Sequence, residues 1–471
     1  MAAFRVIIVG GSVAGLALAN MLEQYGIDFV VLEKHKSIAP HLGAGFAMLP
    51  HGARILDQLG CYNALEKLST PIDTVVGYDE NAEKCTKISN IGVFLEQRLA
   101  IFPLQDFLGY KMGFLERQQV VQCLFDNLRD KSKIHISCCV SRIHLTDEQV
   151  MVETNSGIFE GDLVVGADGV HSYVRREMAR LASADGDESF FQGQREFECC
   201  YSAMFGTSVA PEGLIENQAF KGFKSDRSFL CSPGKGRLIY WLAMFKNREK
   251  TSGDGIPRYT RDDCDRLAAN FADDIIKPGV RLGDLYRDAR KATLVPLEQG
   301  VLSTCFYKRI VLVGDSWHKI NPITGQGGNT AISGAAYLTD GLMDLLEREK
   351  RPTRASIEKL FSDYQQNRGL ISKTLSENAH IMQRIEALET PFLKFFQLNV
   401  MRFLPLKFFR KRLLTSFNSG LLLKRLPPPS RSGTVQVGPH TQKGDSSPLS
   451  FLVKLWILFL IPMTVVYYSL A

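Results

Sequence analysis

The chain has 471 residues, 45% apolar and 23% charged, with 39 glycines and 19 prolines. That excludes a disordered, collagen-like or small disulfide-stapled protein and leaves a globular chain of two or three domains. The formal charge of +6 sits in the tail, since Pro391 to Gly444 holds ten basic residues and no acid, so nucleic acid is not an expected partner of the slightly acidic body.

Phe4 to Gly10 (FRVIIVG) is a short apolar run of the kind that forms a strand buried on both faces. A glycine-rich turn, a helical stretch from Val13 to Tyr25 and a second apolar run, Asp28 to Glu33, complete a βαβ unit. Further strands are expected at Ile134–Val140, Gln149–Thr154, Asp162–Val165 and Arg309–Val313. From Asp185 to Arg290 the composition shifts to aromatics and short alternating segments such as Arg237–Phe245, which predicts an inserted, mainly β domain. Helices are expected after Gly327-Gly328 and over Ser356–Glu389.

The resulting division is a first part of a nucleotide-binding domain over 1–185, a substrate domain over 186–289, and a second nucleotide-binding part over 290–390. A basic, Phe- and Leu-rich region with a polar linker follows over 391–450. Phe451 to Leu470 is an apolar stretch of 20 residues with one charge, Lys454. A helix of that length rises about 30 Å, enough to cross a hydrocarbon core, so a single C-terminal membrane pass with a cytosolic body is expected.

The ten cysteines contain no C-x-x-C, and Cys138-Cys139 and Cys199-Cys200 are adjacent pairs. That spacing suits reduced thiols and holds no metal site.

The first turn reads Gly10-Gly11-Ser12-Val13-Ala14-Gly15. A dinucleotide-binding turn G-x-G-x-x-G uses its first glycine for the bend, its second for close pyrophosphate approach and its third for packing. Gly10 and Gly15 match, and Ser12 replaces the second glycine. Glu33 ends the next strand, 18 residues after Gly15, where an acid can take ribose hydroxyls.

Two later motifs follow strands. One is Gly166-Ala167-Asp168-Gly169-Val170-His171-Ser172, continuing to Val174-Arg175. The other is Gly314-Asp315-Ser316-Trp317-His318, continuing through Pro322 and Gly325 to Gly327-Gly328-Asn329. With these three motifs in this order over about 390 residues, the chain resembles the FAD-dependent monooxygenases of the aromatic-hydroxylase type. GGSVAGLALA, Leu115-Glu116-Arg117 and the apolar C-terminal segment resemble the paxilline-type subgroup, which epoxidises prenyl chains of fungal indole diterpenes and meroterpenoids.

The resemblance implies a Rossmann-like α/β fold with an inserted β domain, FAD as cofactor, NADPH as reductant and O2 as co-substrate. It assigns Glu33 to the adenosine ribose, the backbone at Ala47 to the cofactor, and Arg117 to the ribityl and pyrophosphate side. Asp168 falls near the cofactor, Asp315 on the ribityl chain, and Gly328 beside the isoalloxazine ring. Structural alternatives stay open: Arg117 as a surface helix residue, Asp315 as an N-cap, Asp168 as a turn holder. Tyr201, in a segment resembling the family's Y-x-x-x-F-G, is the first catalytic candidate, with Arg195 and Tyr240 next. A phenol can donate to a departing oxygen, although Tyr201 also reads as a core residue on a strand.

The implied activity is epoxidation of a prenyl-chain alkene in a lipophilic substrate by a membrane-attached enzyme, with the endoplasmic reticulum as the expected site. Aromatic hydroxylation, an isoprenoid flavin reductase and a non-catalytic prenyl carrier are the alternatives.

Overall fold

The computed structural model describes residues 4–40, 45–89, 109–193, 195–401 and 421–431. Its centre is a six-stranded sheet. β1 (Arg5–Val9) pairs in parallel with β2 (Asp28–Leu32) on one side and with Leu163–Gly166 on the other. Ile134–His135 extends the sheet beyond β2, and Ile310–Leu312 extends it beyond Leu163–Gly166. An antiparallel strand, Phe306–Tyr307, closes that edge. Ile7, Ile8, Val31 and Val164 are fully buried, as continuous apolar runs in a sheet covered on both faces must be.

The expected strand from Ile134 stops after two residues. Ser137 takes φ +52°, and Cys138 donates its N–H to the Glu33 carbonyl, so the chain turns before resuming at Val140–Leu145.

α1 (Val13–Tyr25) covers one face of the sheet with α6 (Gly327–Arg348), which itself packs against α2 (Pro50–Gln58) and α7 (Arg354–Glu386). α3 (Tyr62–Leu68) follows α2; α4 (Arg117–Asn127) packs on α1, and α5 (Tyr173–Ala184) follows the Leu163–Gly166 strand. β3 (Gly45–Met48) pairs with Gly113–Glu116 beside the start of α6.

The second large sheet has eight strands. Glu198–Val209, Gln218–Lys224, Arg227–Gly234, Leu238–Ser252 and Ala289–Val301 form most of it. Thr74–Tyr78 and Lys84–Ser89 add two strands from the first part of the chain, and His318–Lys319 adds one from the last motif. The sheet therefore draws on chain outside 186–289 at both ends.

Leu421 to Arg431 runs back over the cofactor-side domain. Leu421 and Leu423 are buried in its main core. Leu423 exchanges hydrogen bonds with the Gln58 side chain at 2.8 and 3.0 Å. Ser430 donates N–H and O–H to Asp57, and Arg431 lies 4.4 Å over the Tyr62 ring while pairing with Glu66. The residues of the expected membrane pass, 451–470, lie outside the described residues. Among the described residues no helix is long and apolar enough to cross a membrane.

Leu423→Ala should cost about 2–5 kcal/mol, the range for truncating a buried leucine. Urea unfolding of the full chain measures it. A loss below about 0.5 kcal/mol, the range of surface substitutions, would show that the returning segment is not part of the core.

Candidate active site

The first turn is set by close approach. Gly10 has φ +106°, and a Cβ there would stand 2.5 Å from the Ala167 carbonyl oxygen, so only glycine fits against the second motif. A Cβ on Gly15 would stand 1.9 Å from the Gly10 oxygen. α1 thus starts directly behind the bend, with no side chain capping its first N–H groups.

Ser12 is the N-cap residue of α1, but its hydroxyl accepts a hydrogen bond from Arg117 Nη2 at 2.7 Å instead of capping the helix. Glu33 is buried, and its carboxylate accepts the N–H of Gly11 at 2.7 Å and of His35 at 2.8 Å. Gly10, Ser12, Glu33, Arg117 and Asp168 all line one cleft of about 640 Å³, within the usual size of a ligand site. Thr207, Arg290 and Lys291 bring the eight-stranded sheet to its rim.

Asp168 lines this cleft, and its carboxylate holds the following turn. One oxygen accepts from Ser172 Oγ at 2.6 Å, the other from the N–H groups of Tyr173 and Val174 at 2.6 and 3.1 Å. Burial lifts its carboxyl above the ordinary value despite these bonds. Arg175 then ties the two later motifs together, donating to the carbonyls of Val170 and Ser316 at 2.8 and 2.9 Å.

Asp315 forms an ion pair with Lys319. Burial pushes its carboxyl up, but Lys319, with Arg117 and His318 nearby, outweighs burial and holds it below the usual carboxylate range. At neutral pH it is an anion able to accept hydrogen bonds from hydroxyls.

Ala47 and Gly328 meet at the start of α6. The Ala47 carbonyl accepts from Asn329 Nδ2 at 2.8 Å, and the same amide donates to Gly325 and accepts from the Leu49 N–H. A Cβ on Gly328 would stand 2.4 Å from the Phe46 ring, so glycine is what lets α6 start against β3. In the sequence Asn329 stands only as part of a motif; the three hydrogen bonds of its one amide emerge only with β3 folded beside it.

The catalytic candidates do not share one place. Tyr201 is buried among Leu297, Ile320 and Ile323, and its hydroxyl donates to Glu389 at 2.9 Å. Burial and Glu389 push that phenol far above its ordinary value. Arg195 is exposed in the segment entering the Glu198–Val209 strand. Tyr240 pairs across strands with Thr207, a residue of the cleft wall, and its ring lies 5.5 Å from Phe114. Burial, with Glu116 nearby, pushes the Tyr240 phenol up to about 12.

Directly opposed residues share one face of an antiparallel sheet. The row next to Lys291, Thr207 and Tyr240 is therefore Thr293, Phe205, Leu242 and Leu230, and beyond it lie Val295, Ala203 and Met244. This face is polar where it reaches the cleft, and farther on it is covered, since Leu242, Val295, Ala203 and Met244 pack with Leu375, Ala379 and Met382 of α7 and with Ile320 and Ile323. Among the described residues no cluster of His, Cys, Asp and Glu could hold a metal ion.

These residues fit FAD. The glycine cradle and the uncapped start of α1, with Arg117 beside it, would take the diphosphate; Glu33 would take ribose hydroxyls and Asp315 the ribityl chain. Arg117→Ala should leave the purified protein without flavin, and Ser12→Ala should weaken FAD binding roughly tenfold by freeing the guanidinium. Flavin fluorescence titration measures both; full flavin occupancy in the Arg117 variant would refute the assignment.

Comparison with known proteins agrees. Residues 3–379 match the family model described as FAD binding domain. The chain is 36% identical over 468 residues to FAD-dependent monooxygenase asqG of Emericella nidulans, covering 98% of this chain and 81% of that protein. It is 35% identical over 477 residues to FAD-dependent monooxygenase olcE of Penicillium canescens, covering 96% and 98%. The fold matches Klebsiella pneumoniae HpxO, solved with FAD and uric acid, with a TM-score of 0.71 at 20% identity over 88% of this chain and 97% of that one. With residues 3–379 matched by that family model and two relatives at 36% and 35% identity covered over 81% and 98% of their length, the chain belongs to the FAD-dependent monooxygenases built on this FAD-binding domain.

Proposed function

We propose that the protein epoxidises a prenyl-chain alkene of a lipophilic terpenoid or meroterpenoid, using NADPH and O2, at a membrane surface. One observation carries the substrate class. The sheet wall that reaches the cleft with Lys291, Thr207 and Tyr240 continues in the half-buried Phe205, Leu242 and Leu230, before α7 covers it at Val295 and Met244. An isoprenoid chain lies along such a wall, while a polar head stays at the rim.

Bound FAD supplies the oxygen-transfer chemistry after reduction by NADPH. One oxygen atom enters the alkene, the other leaves as water, and NADPH supplies the two electrons. The chain's own residues bind, orient and exclude water. Arg117 and Asp315 would hold the cofactor at fixed depth, and the apolar wall would keep water from the reacting bond. Tyr240, opposite Thr207 across the strands and with its phenol pushed up to about 12, would stay neutral and donate a hydrogen bond to the substrate.

Membrane attachment rests on the sequence of 451–470, with its single charge, and on the basic region before it. Leu421–Arg431, within that region, is fastened to the body through Gln58 and Asp57.

Full-length protein in detergent, given NADPH, 18O2 and a prenylated aromatic probe, should yield a product carrying one 18O atom that acid opens to a diol. A labelled product stable to acid would point to hydroxylation; NADPH consumption with no labelled product would contradict oxygen transfer to this class. Removing the residues after Pro448 should move the protein from membrane pellet to supernatant, and unchanged pelleting would overturn the membrane reading.

A further inference from the structure

Behind the start of α6 lies a buried group of donors that the cofactor cleft does not use. Arg368, on α7, is 4% exposed, and its Nε has no hydrogen-bond partner. Among the described residues its charged neighbourhood holds the phenols of Tyr364 and Tyr337 and no carboxylate. A guanidinium taken out of water without a counter-charge is costly.

The surrounding residues are also donors without partners. Tyr364 and Ser372 lie four residues either side of Arg368 and so on its helix face; both are fully buried, and Tyr364 OH and Ser372 Oγ are unpartnered. Across from them, a Cβ on Gly334 of α6 would stand 3.2 Å from Tyr364 OH. Thr330, one turn earlier on the same face of α6, is 1% exposed with an unpartnered hydroxyl. His318 completes the group: its Nδ1 is buried and unpartnered, and the adjacent Trp317 ring lies 5.2 Å from that of Tyr364. Gly369, next to Arg368, packs on the same Trp317 ring.

We propose that Arg368, Tyr364, Ser372, Thr330 and His318 enclose a binding site for a small monovalent inorganic anion of the halide class. Four of these five side chains can donate whatever the pH, and the fifth offers a ring nitrogen whose tautomer can adapt. Water would satisfy the hydroxyls but leave the guanidinium uncompensated; a halide does both. Burial keeps His318 neutral, pushing it down to about 4, so Arg368 supplies the fixed charge. Asp315, the carboxylate that reaches His318, is committed to Lys319. The site lies one turn behind Gly327-Gly328-Asn329, so occupancy would brace the start of α6 against β3.

The test uses the full-length, FAD-loaded protein. At constant ionic strength, replacing gluconate by chloride should raise Tm progressively, as for any ligand of the folded state. Arg368→Met should abolish that rise. Ser372→Ala, a milder change, should raise the chloride concentration needed by roughly tenfold. Crystals grown in bromide should show an anomalous peak among Arg368, Ser372 and Thr330. The proposal is overturned by equal Tm in the two salts, by an undiminished chloride effect in the Ser372 variant, or by a scatterer there with no anomalous signal. If Arg368→Met does not fold, the serine variant and the bromide crystals decide alone.

Discussion

The contact on which the site depends is the approach of the Gly10 turn to the Ala167 backbone. Two neighbouring parallel strands, β1 and Leu163–Gly166, each end in a glycine-containing motif, and the turns meet with no room for a side chain between them. Because Gly15 also packs on Gly10, α1 must start there, pointing its free N–H groups into the cleft. The third motif joins through Arg175 and through Ser316, whose hydroxyl donates to the Gly166 carbonyl at 2.6 Å. Backbone proximity in one sheet thus gathers segments that are more than 300 residues apart in the chain.

Charge then decides what the cleft accepts. Arg117 and the start of α1 favour an anionic diphosphate at one point, while Glu33 and Asp315 offer acceptors at two others. Each group is held before a ligand arrives: Arg117 by Ser12, Glu33 by two backbone N–H groups, Asp315 by Lys319. Preorganisation of this kind lowers the cost of ordering on binding. Ser12, a departure from the glycine pattern, is the residue that orients the guanidinium.

Much of the cofactor half was legible from the residues. β1, α1 and β2 follow from an apolar run, a glycine turn and a second apolar run, and Glu33 falls where such a unit places an acid. The substrate half was less so, for physical reasons. Thr74–Tyr78 and Lys84–Ser89 join the eight-stranded sheet from far away in sequence, and strand pairing over that distance leaves no local pattern. The partner of Tyr201 is Glu389, 188 residues on, and nothing in either segment announces the pair. The returning segment Leu421–Arg431 spans the end of the basic, Phe- and Leu-rich stretch, the three prolines and the start of the expected linker; its hold on Asp57, Gln58 and Glu66 comes from side chains on helices far upstream, which leave no local pattern.

The central claim is that this one cleft seats FAD through its adenosine end at Glu33 and its diphosphate at the Gly10 turn and Arg117. Titrating flavin-stripped protein with FAD in the presence of ADP-ribose tests it most directly, because that competitor carries the adenosine and diphosphate without the flavin ring. The account predicts one FAD per chain, competition by ADP-ribose, and loss of that competition when Glu33 is replaced by alanine. FAD binding indifferent to both ADP-ribose and Glu33 would contradict it.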